Sequence, residues 1–347
     1  MLSAAERAGA PPPGVWVSGG GADVAGLTVW TERVAGRGED AEALAAHHRG
    51  SRRGVIAVFD GAGGAGAAPA WRGPGGESYT GAWVGARVAR LATECWFREA
   101  VERAGPDGPL HEGAPEALAE ELRRQLDAAR PRTRGRITGS MRRVLPTTLA
   151  GLAYRLTGDA VAGHALWAGD SRAYALLPGG GLHALTRDHT HLDDALEQLR
   201  ADPAMTNVVC ADRPFTVDAH AWAFPLPCVL LCATDGFFGY VETPARFEWV
   251  LLRTLAAAGD LAGWARLLRD EVGAYTADDA TLALVAPGFG DFAALRRAFG
   301  PRHDAVRARY GGEGPEVASR GWQDAAWRSY RAGYERHMPP VREAGAR

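Results

Sequence analysis

The chain has 347 residues, enough for one large domain or two small ones with a sizeable core. Hydrophobic residues at 46% and charged residues at 23% are ordinary for a globular protein, and a formal net charge of −2 gives no bulk attraction to nucleic acid or an anionic membrane. All 39 basic side chains are arginine, which removes a Walker-type phosphate loop because that loop needs its lysine.

The N-terminus, MLSAAERAGAPPPGVW, carries early charge and three prolines where a signal peptide would have its apolar centre. LTVWTERV (27–34) and GVIAVF (54–59) read as strands, with a polar loop between them. Residues 67–76 read as a second loop, because Pro69 and Pro74 block an early helix. Residues 78–105 and 115–130 carry helical spacing, the first with Val84, Val88, Leu91 and Cys95 on one stripe. An Arg-rich connector follows. The period then shortens: 147–156, 161–170 and 171–177 are short strands separated by turns. Residues 192–201 suit a short helix, 227–234 a buried strand, 243–257 and 261–275 helices, and 280–286 a last strand. No run approaches the ~18 apolar residues of a membrane span. Cys95, Cys210, Cys228 and Cys232 are scattered and lack the paired spacing of a zinc site, which suits a reduced, cytoplasmic protein. Strands clustered in runs, rather than alternating with helices, favour an α+β sandwich of antiparallel sheets between helical layers.

GVIAVFDGAGGAG (54–66) admits two readings. Gly61, Gly63 and Gly66 have the G-x-G-x-x-G spacing of a dinucleotide loop. That reading also needs a glycine directly after the strand, a helix opening among the glycines and a second strand ending in an acid about 20 residues on. Here Asp60 intrudes, prolines delay the helix, and 78–105 is helical where the second strand should be. The alternative is that Asp60, at a strand end, holds cations. It gains from other acids at strand borders: Asp235 in VLLCATDG, Asp278 and Asp279 in YTADDATLALV, and Glu39 and Asp40 in GRGEDA. Hard cations take oxygen ligands, and carboxylates placed together need cations to offset their repulsion.

With these residues in view, the chain resembles the metal-dependent protein phosphatases, the type 2C or PPM family, in a bacterial form. The resemblance covers about residues 20–287 and rests on motifs in the family's order: GEDA (38–41), VFDGAGG (58–64), TTLAGL (147–152), GDSRAY (169–174), LTRDHT (185–190), CATDGFF (232–238) and DDATLALV (278–285). It implies an αββα sandwich, two antiparallel sheets flanked by helices, with two Mn²⁺ or Mg²⁺ ions at one end. By motif match Asp60 bridges both ions, the Gly61 carbonyl binds one, Asp235 and Asp278 bind the other, and Glu39 and Asp40 act through waters. The implied activity is hydrolysis of phosphoserine and phosphothreonine by a hydroxide held between the two ions. Phosphorylated proteins are then the substrates and a cognate kinase is a further partner, with no role for nucleic acid or membrane. Around that domain the reading sets a flexible N-terminus (1–19) and a helical, Arg/Trp-rich C-terminal extension (288–347).

The chain departs from the family in places. Ala62 stands where many members have a histidine after Asp-Gly. Ala35 stands where an arginine often binds phosphate, leaving Arg33 or Arg37 for that role. Pro146 replaces a usual glycine, and no carboxylate lies between Asp127 and Asp159, where bacterial members often supply an acid for a third metal. Ala35, Pro146 and a segment before Asp235 (201–226) that is shorter and differently built than the family's flap motivate an alternative, a pseudophosphatase that recognises phosphoproteins as a regulatory module. Asp170 and Arg172 are expected to brace a strand connection, and Asp279 to be a neighbour rather than a ligand. His189 and His191 are read as surface or capping residues, and His164 as packed within a strand. In the extension, Trp322, Trp327, Tyr330 and Tyr334 interleave with Arg328, Arg331 and Arg336; helical periodicity favours packing of these aromatic residues over nucleic-acid contact.

Overall fold

Arg53–Val58 is buried along its whole length. Its alternation sends Val55 and Ala57 to one side and Ile56 and Val58 to the other, so each face needs its own apolar layer. The computed structural model, which describes residues 15–17, 24–104, 113–131 and 142–341, supplies both layers.

Along the chain, β1 (Val15–Val17), β2 (Val24–Thr31), β3 (Leu44–His48) and β4 (Arg53–Val58) lead into the single turn α1 (Gly63–Gly66). The hairpin β5 (Pro69–Arg72) and β6 (Ser78–Thr80) precedes α2 (Gly81–Ala104) and α3 (Ala114–Ala129). A run of strands follows: β7 (Leu149–Thr157), β8 (Ala160–Ala168), β9 (Arg172–Leu177) and β10 (Gly181–Ala184). Then come α4 (Ala195–Ala201), β11 (Asp218–Pro225), β12 (Val229–Ala233) and the turn α5 (Asp235–Phe238). Helices α6 (Pro244–Ala257) and α7 (Leu261–Tyr275), strand β13 (Ala280–Pro287), and helices α8 (Phe292–Tyr310) and α9 (Arg320–Tyr334) complete the order.

The strands form a six-stranded sheet, β1-β2-β13-β12-β9-β10, and a five-stranded sheet, β11-β8-β7-β4-β3, antiparallel throughout. Ile56, Leu152, Leu230 and Val285 meet between the sheets. Helices α2 and α3 cover the outer face of the smaller sheet, and α6 to α9 cover the larger one. The fold is therefore the expected αββα sandwich, an arrangement that buries both faces of each sheet. Among the described residues no helix is long and apolar enough to cross a membrane.

The central elements match the sequence pattern, while five strands differ from it. The segment read as a polar loop contains β3, the loop at 67–76 contains β5, residues 78–80 form β6 ahead of the helix, and the four-residue β10 and the strand β11 fall where none is expected. β3 and β11 are the outer strands of their sheet, and β5 with β6 forms a separate hairpin. Such strands are half-solvated, so their sequences (LAAHH and DAHAWAFP, for example) carry neither a continuous apolar run nor a β-branched bias. Of the segment 1–19, residues 15–17 form the edge strand β1, and the Arg-rich connector at 132–141 lies outside the described residues.

Helices α8 and α9 are continuous with the core. Tyr310, Trp327, Tyr330 and Tyr334 are buried in the same cluster as Leu231, Leu251 and Leu282. Buried Glu248 accepts from Arg302 Nε and Nη2 (2.7 and 2.6 Å) and from the Tyr330 hydroxyl (2.6 Å), so its charge is paired and its lone pairs occupied. The end of α9 and the chain after it run past both sheets: His183 Nδ1 donates to the Gly333 carbonyl (2.7 Å), Arg187 Nε donates to the Pro339 carbonyl (3.1 Å), and the His337 ring meets His183 and Phe224 edge-on.

Burial, with the nearby charges of His337, Arg336 and Arg302, lowers the His183 pKa to about 4. Because the folded value lies below the unfolded one, the contribution of this neutral imidazole is present above about pH 6.5 and is lost as pH falls from there toward 4. The His183→Gln variant retains an N–H donor without titrating. Wild type is expected to lose thermal stability relative to this variant across that window, and a melting-temperature difference that stays flat from pH 7 to pH 4.5 would contradict the assignment.

Candidate active site

The acids singled out in the sequence come from the ends of neighbouring strands. β12 lies between β9 and β13, with Ala233 paired to Arg172 on one side and Leu282 on the other. Asp170, Asp235 and Asp278 therefore leave the same end of the larger sheet. Asp60 follows β4 in the facing sheet, where Val58 pairs with Ala150 of β7. Two threonines fix the Asp60 backbone. Thr148 N–H and the Thr147 hydroxyl donate to the Asp60 carbonyl (both 2.8 Å), and Asp60 N–H donates to Thr148 Oγ1 (3.1 Å). Thr148 Oγ1 also shares a 2.6 Å hydrogen bond with Ser171 Oγ, which joins the TTLAGL and GDSRAY segments.

Both Asp-Gly pairs have a steric reason. A Cβ on Gly61 would lie 2.6 Å from the Glu39 carbonyl oxygen, and one on Gly236 would lie 1.9 Å from that of Asp279. Each glycine lets another acid-bearing segment approach the strand end.

Asp60 and Asp235 are half-buried, and each carboxylate acts on the protonation of the other. Burial is the largest cause raising the Asp60 pKa well above the ordinary carboxylate range, followed by the charges of Asp40, Asp235, Asp170 and Asp278. Burial and then Asp278 push Asp235 up to about 6. Asp278 is raised by burial and Asp279 and lowered by Arg33. Asp170 is raised by burial and by Asp235 and Asp188, and its buried Oδ1 has no hydrogen-bond partner. The structure thus brings Asp60, Asp235 and Asp278 into mutual electrostatic reach, with Asp170 beside them.

Glu39 and Asp40 border this group in different ways. Asp40 is buried, and its Oδ2 accepts from the hydroxyls of Thr234 (3.0 Å) and Thr281 (2.8 Å), tying the 38–41 segment to β12 and β13. The Glu39 carboxylate accepts from the Thr80 hydroxyl, and its N–H donates to Asp279 Oδ2 (2.6 Å). Asp279 Oδ1 takes the Arg33 N–H (2.7 Å), so this acid braces the loop as a neighbour. Arg33 is exposed, and its charge reaches Asp278 and Tyr240; Arg37 stands in an exposed turn closed by its N–H on the Val34 carbonyl.

A cleft of about 250 Å³ opens beside these acids, lined by Asp170, Arg172, Asp188, Asp202, Asp235, Tyr240 and Asp278 among others. Arg172, 2% exposed, forks onto Asp188 through Nε (2.9 and 3.2 Å) and Nη2 (2.7 Å), donates to Gln198 Oε1 (2.9 Å) and Tyr334 OH (3.3 Å), and lies over the Phe238 ring (4.4 Å). It braces the cleft wall.

Three contributors were not legible in the sequence. Arg87 of α2 donates to the Gly38 (3.2 Å) and Glu39 (3.3 Å) carbonyls, and its helical spacing reads only as a surface charge. Asp202, which caps α4 with φ 42°, adds charge toward Asp235 and Asp278; a lone acid after a short helix carries no signal. His189 is largely buried rather than a surface residue. It accepts from Gly169 N–H at Nδ1 (3.0 Å), stacks on Trp167 and lies 3.1 Å from Asp218, so it steadies the peptide before Asp170.

Among the described residues, no three His, Cys, Asp or Glu side chains are grouped as the ligand set of a metal ion. What fits a hard divalent cation is the donor chemistry: carboxylate and carbonyl oxygens, burial, mutual repulsion and the unpaired Asp170 Oδ1.

No family model matches the chain, and no curated protein matches it in sequence. Solved structures do match. PppA, described as a key regulatory component of the T6SS in Pseudomonas aeruginosa, superposes with a TM-score of 0.50 at 22% identity, over 79% of this chain and 99% of its own. A bacterial serine phosphatase gives 0.53 at 17% identity over 77% and 98%. The serine/threonine phosphatase Stp1 of Staphylococcus aureus gives 0.51 at 17% over 76% and 94%. At these identities what is shared is the fold, and the chain has the αββα fold of these phosphatases.

Proposed function

We propose that this protein is a metal-dependent phosphatase of the PPM type that hydrolyses phosphoserine and phosphothreonine in proteins. The observation that carries the reading is the approach of Asp60, Asp235 and Asp278, three acids far apart in sequence, to within electrostatic reach of one another at one end of the sandwich, Asp60 and Asp235 half-buried and Asp278 exposed at the rim. In this reading the carboxylates of Asp60, Asp235 and Asp278 and the Gly61 carbonyl would hold two Mn²⁺ or Mg²⁺ ions, with Glu39 and Asp40 acting through water. When bound, such cations acidify water and offset charge on a phosphoryl group. The protein's own groups orient and enclose. Arg33, whose charge reaches Asp278 and Tyr240, is better placed than Arg37 to pair with phosphoryl oxygens. Thr147 and Thr148 fix the Asp60 peptide, and Arg172 holds the Asp188–Gln198 wall. The substrates are phosphorylated proteins, opposed by a kinase, and the catalytic unit spans residues 20–287 in the cytoplasm, with 288–347 as its extension.

With Mn²⁺ present, the full chain is expected to hydrolyse p-nitrophenyl phosphate and a phosphothreonine peptide, and EDTA is expected to abolish both. Asp235→Asn should lower kcat by about a hundredfold or more. Undiminished turnover in excess EDTA would overturn the metal-dependent reading. Retained Mn²⁺ binding by calorimetry without turnover would instead identify a regulatory pseudophosphatase.

A second expectation concerns charge alone. In EDTA, Asp235→Asn removes one of the repelling carboxylates and keeps its shape, so the variant should melt roughly 1–2 °C above wild type if the relief is about 1 kcal/mol. Added Mn²⁺ should then stabilise wild type more than the variant. A variant that melts lower than wild type in EDTA would contradict the repulsion argument.

A further inference from the structure

The hairpin β5–β6 stands apart from both sheets of the sandwich. Most of residues 67–78 are exposed, and two strands of this length have little stability of their own. An aromatic cluster holds it. Trp71 pairs with Tyr79 across the hairpin (ring centroids 5.2 Å), Tyr79 packs on Trp83 of α2 (4.1 Å), and Trp71 lies parallel to Trp83 (5.9 Å, 6°). The Arg87 guanidinium lies 3.9 Å over the Trp83 ring while donating to the Gly38 and Glu39 carbonyls. Thr80, at the end of β6, donates to the Glu39 carboxylate. The cluster is therefore fastened to the segment that borders the acids. Trp71 remains 47% exposed, and three of the five exposed large hydrophobic side chains among the described residues, Val34, Trp71 and Tyr240, belong to segments around the acid group.

We propose that Trp71 and its aromatic neighbours form a substrate platform that receives an arginine side chain flanking the phosphorylated residue. This rests on the phosphoprotein reading given above. Two observations identify the occupant. Arg87 on Trp83 shows that this cluster accepts a stacked guanidinium, and Trp71 offers a second, exposed indole of the same orientation. Acids outnumber arginines around the cluster: Glu32, Glu42 and Asp279 act on Arg87, and the hairpin itself carries exposed Glu77 and Arg72. A weakly hydrated planar cation gains from both the indole face and the negative field, and a neutral side chain gains from neither. A substrate chain that delivers its phosphoryl group to the cleft and crosses the Glu39 segment meets this platform.

The test uses the full chain, two fluorescent phosphothreonine peptides that differ only by Arg or Gln beside the phosphorylated residue, and p-nitrophenyl phosphate. Wild type should bind the Arg peptide about tenfold more tightly by anisotropy, and Trp71→Ala should remove most of that preference. Trp71→Phe should keep part of it. Turnover of p-nitrophenyl phosphate, which does not reach the hairpin, should stay within about twofold of wild type in both variants, as expected when binding away from the reacting group is lost. Equal binding of the two peptides by wild type, or an Arg preference that survives Trp71→Ala, would overturn the proposal. Should wild type fail to turn over p-nitrophenyl phosphate, the hydrolase reading falls while the two anisotropy comparisons still decide the platform.

Discussion

Carboxylates buried side by side raise one another's energy, and the architecture at this end of the sandwich is a response to that repulsion. Asp40 and Asp279 are satisfied by hydroxyl and backbone N–H donors, which accept their charge without bringing in a cation. Arg172, the arginine in the cleft wall, is taken up by a bidentate pair with Asp188, so its effect on Asp170 is only the last of that group's causes. The result is an acid group with Arg33 and Arg87 at its edges, the first acting on Asp278 and the second on Glu39. Buried ionised groups without partners carry a large desolvation cost, so a folded chain that keeps them calls for an external positive charge. This links the strand-end placement to the cation-dependent chemistry proposed for it.

The sheets make such crowding possible. In an antiparallel sheet adjacent strands begin and end together, so Asp170, Asp235 and Asp278 need only lie one or two residues beyond β9, β12 and β13 to meet. The second sheet adds Asp60 from the opposite face, and the Thr148–Ser171 hydrogen bond sets the distance between the sheets at that corner. The glycines after Asp60 and Asp235 serve the same end, because a Cβ there would push away the Glu39 or Asp279 backbone. Strand length, register and two missing side chains therefore define the cleft before any ligand enters.

How much of this the sequence displays depends on how local each requirement is. Helix 261–275 was legible to the residue and helix 243–257 to within one, because each must present a continuous apolar stripe to the sheet. The acids were legible because strand–Asp–Gly is a compact pattern with a reason. Strands β3, β5, β6, β10 and β11 were not, since a half-solvated strand has no fixed composition and the four residues of β10 are too few to show a period. Arg87, Asp202 and His189 were missed for a different reason. Arg87 acts on carbonyls 48 and 49 residues away, Asp202 sits near Asp235 only because α4 folds back, and His189 reaches Gly169 across 20 residues. A side chain whose partner is distant leaves no periodic trace.

The same reasoning bears on the C-terminal helices, whose composition suggests an appendage. Trp327 Nε1 and Arg331 Nη1 both donate to Asp194 Oδ2 (3.0 and 2.7 Å), while Asp194 Oδ1 caps α4. Helix α4 supplies Gln198 to Arg172 and ends at Asp202 in the cleft, and Tyr334 contacts Arg172 directly. One wall of the cleft is therefore held from behind by residues more than 120 positions further along the chain. Because buried hydrogen-bond networks lose more than one bond when a member is removed, a disturbance of α9 reaches Arg172, Asp188 and Asp202 together. Helix α9 is thus mechanically part of the cleft even though it supplies none of the acids.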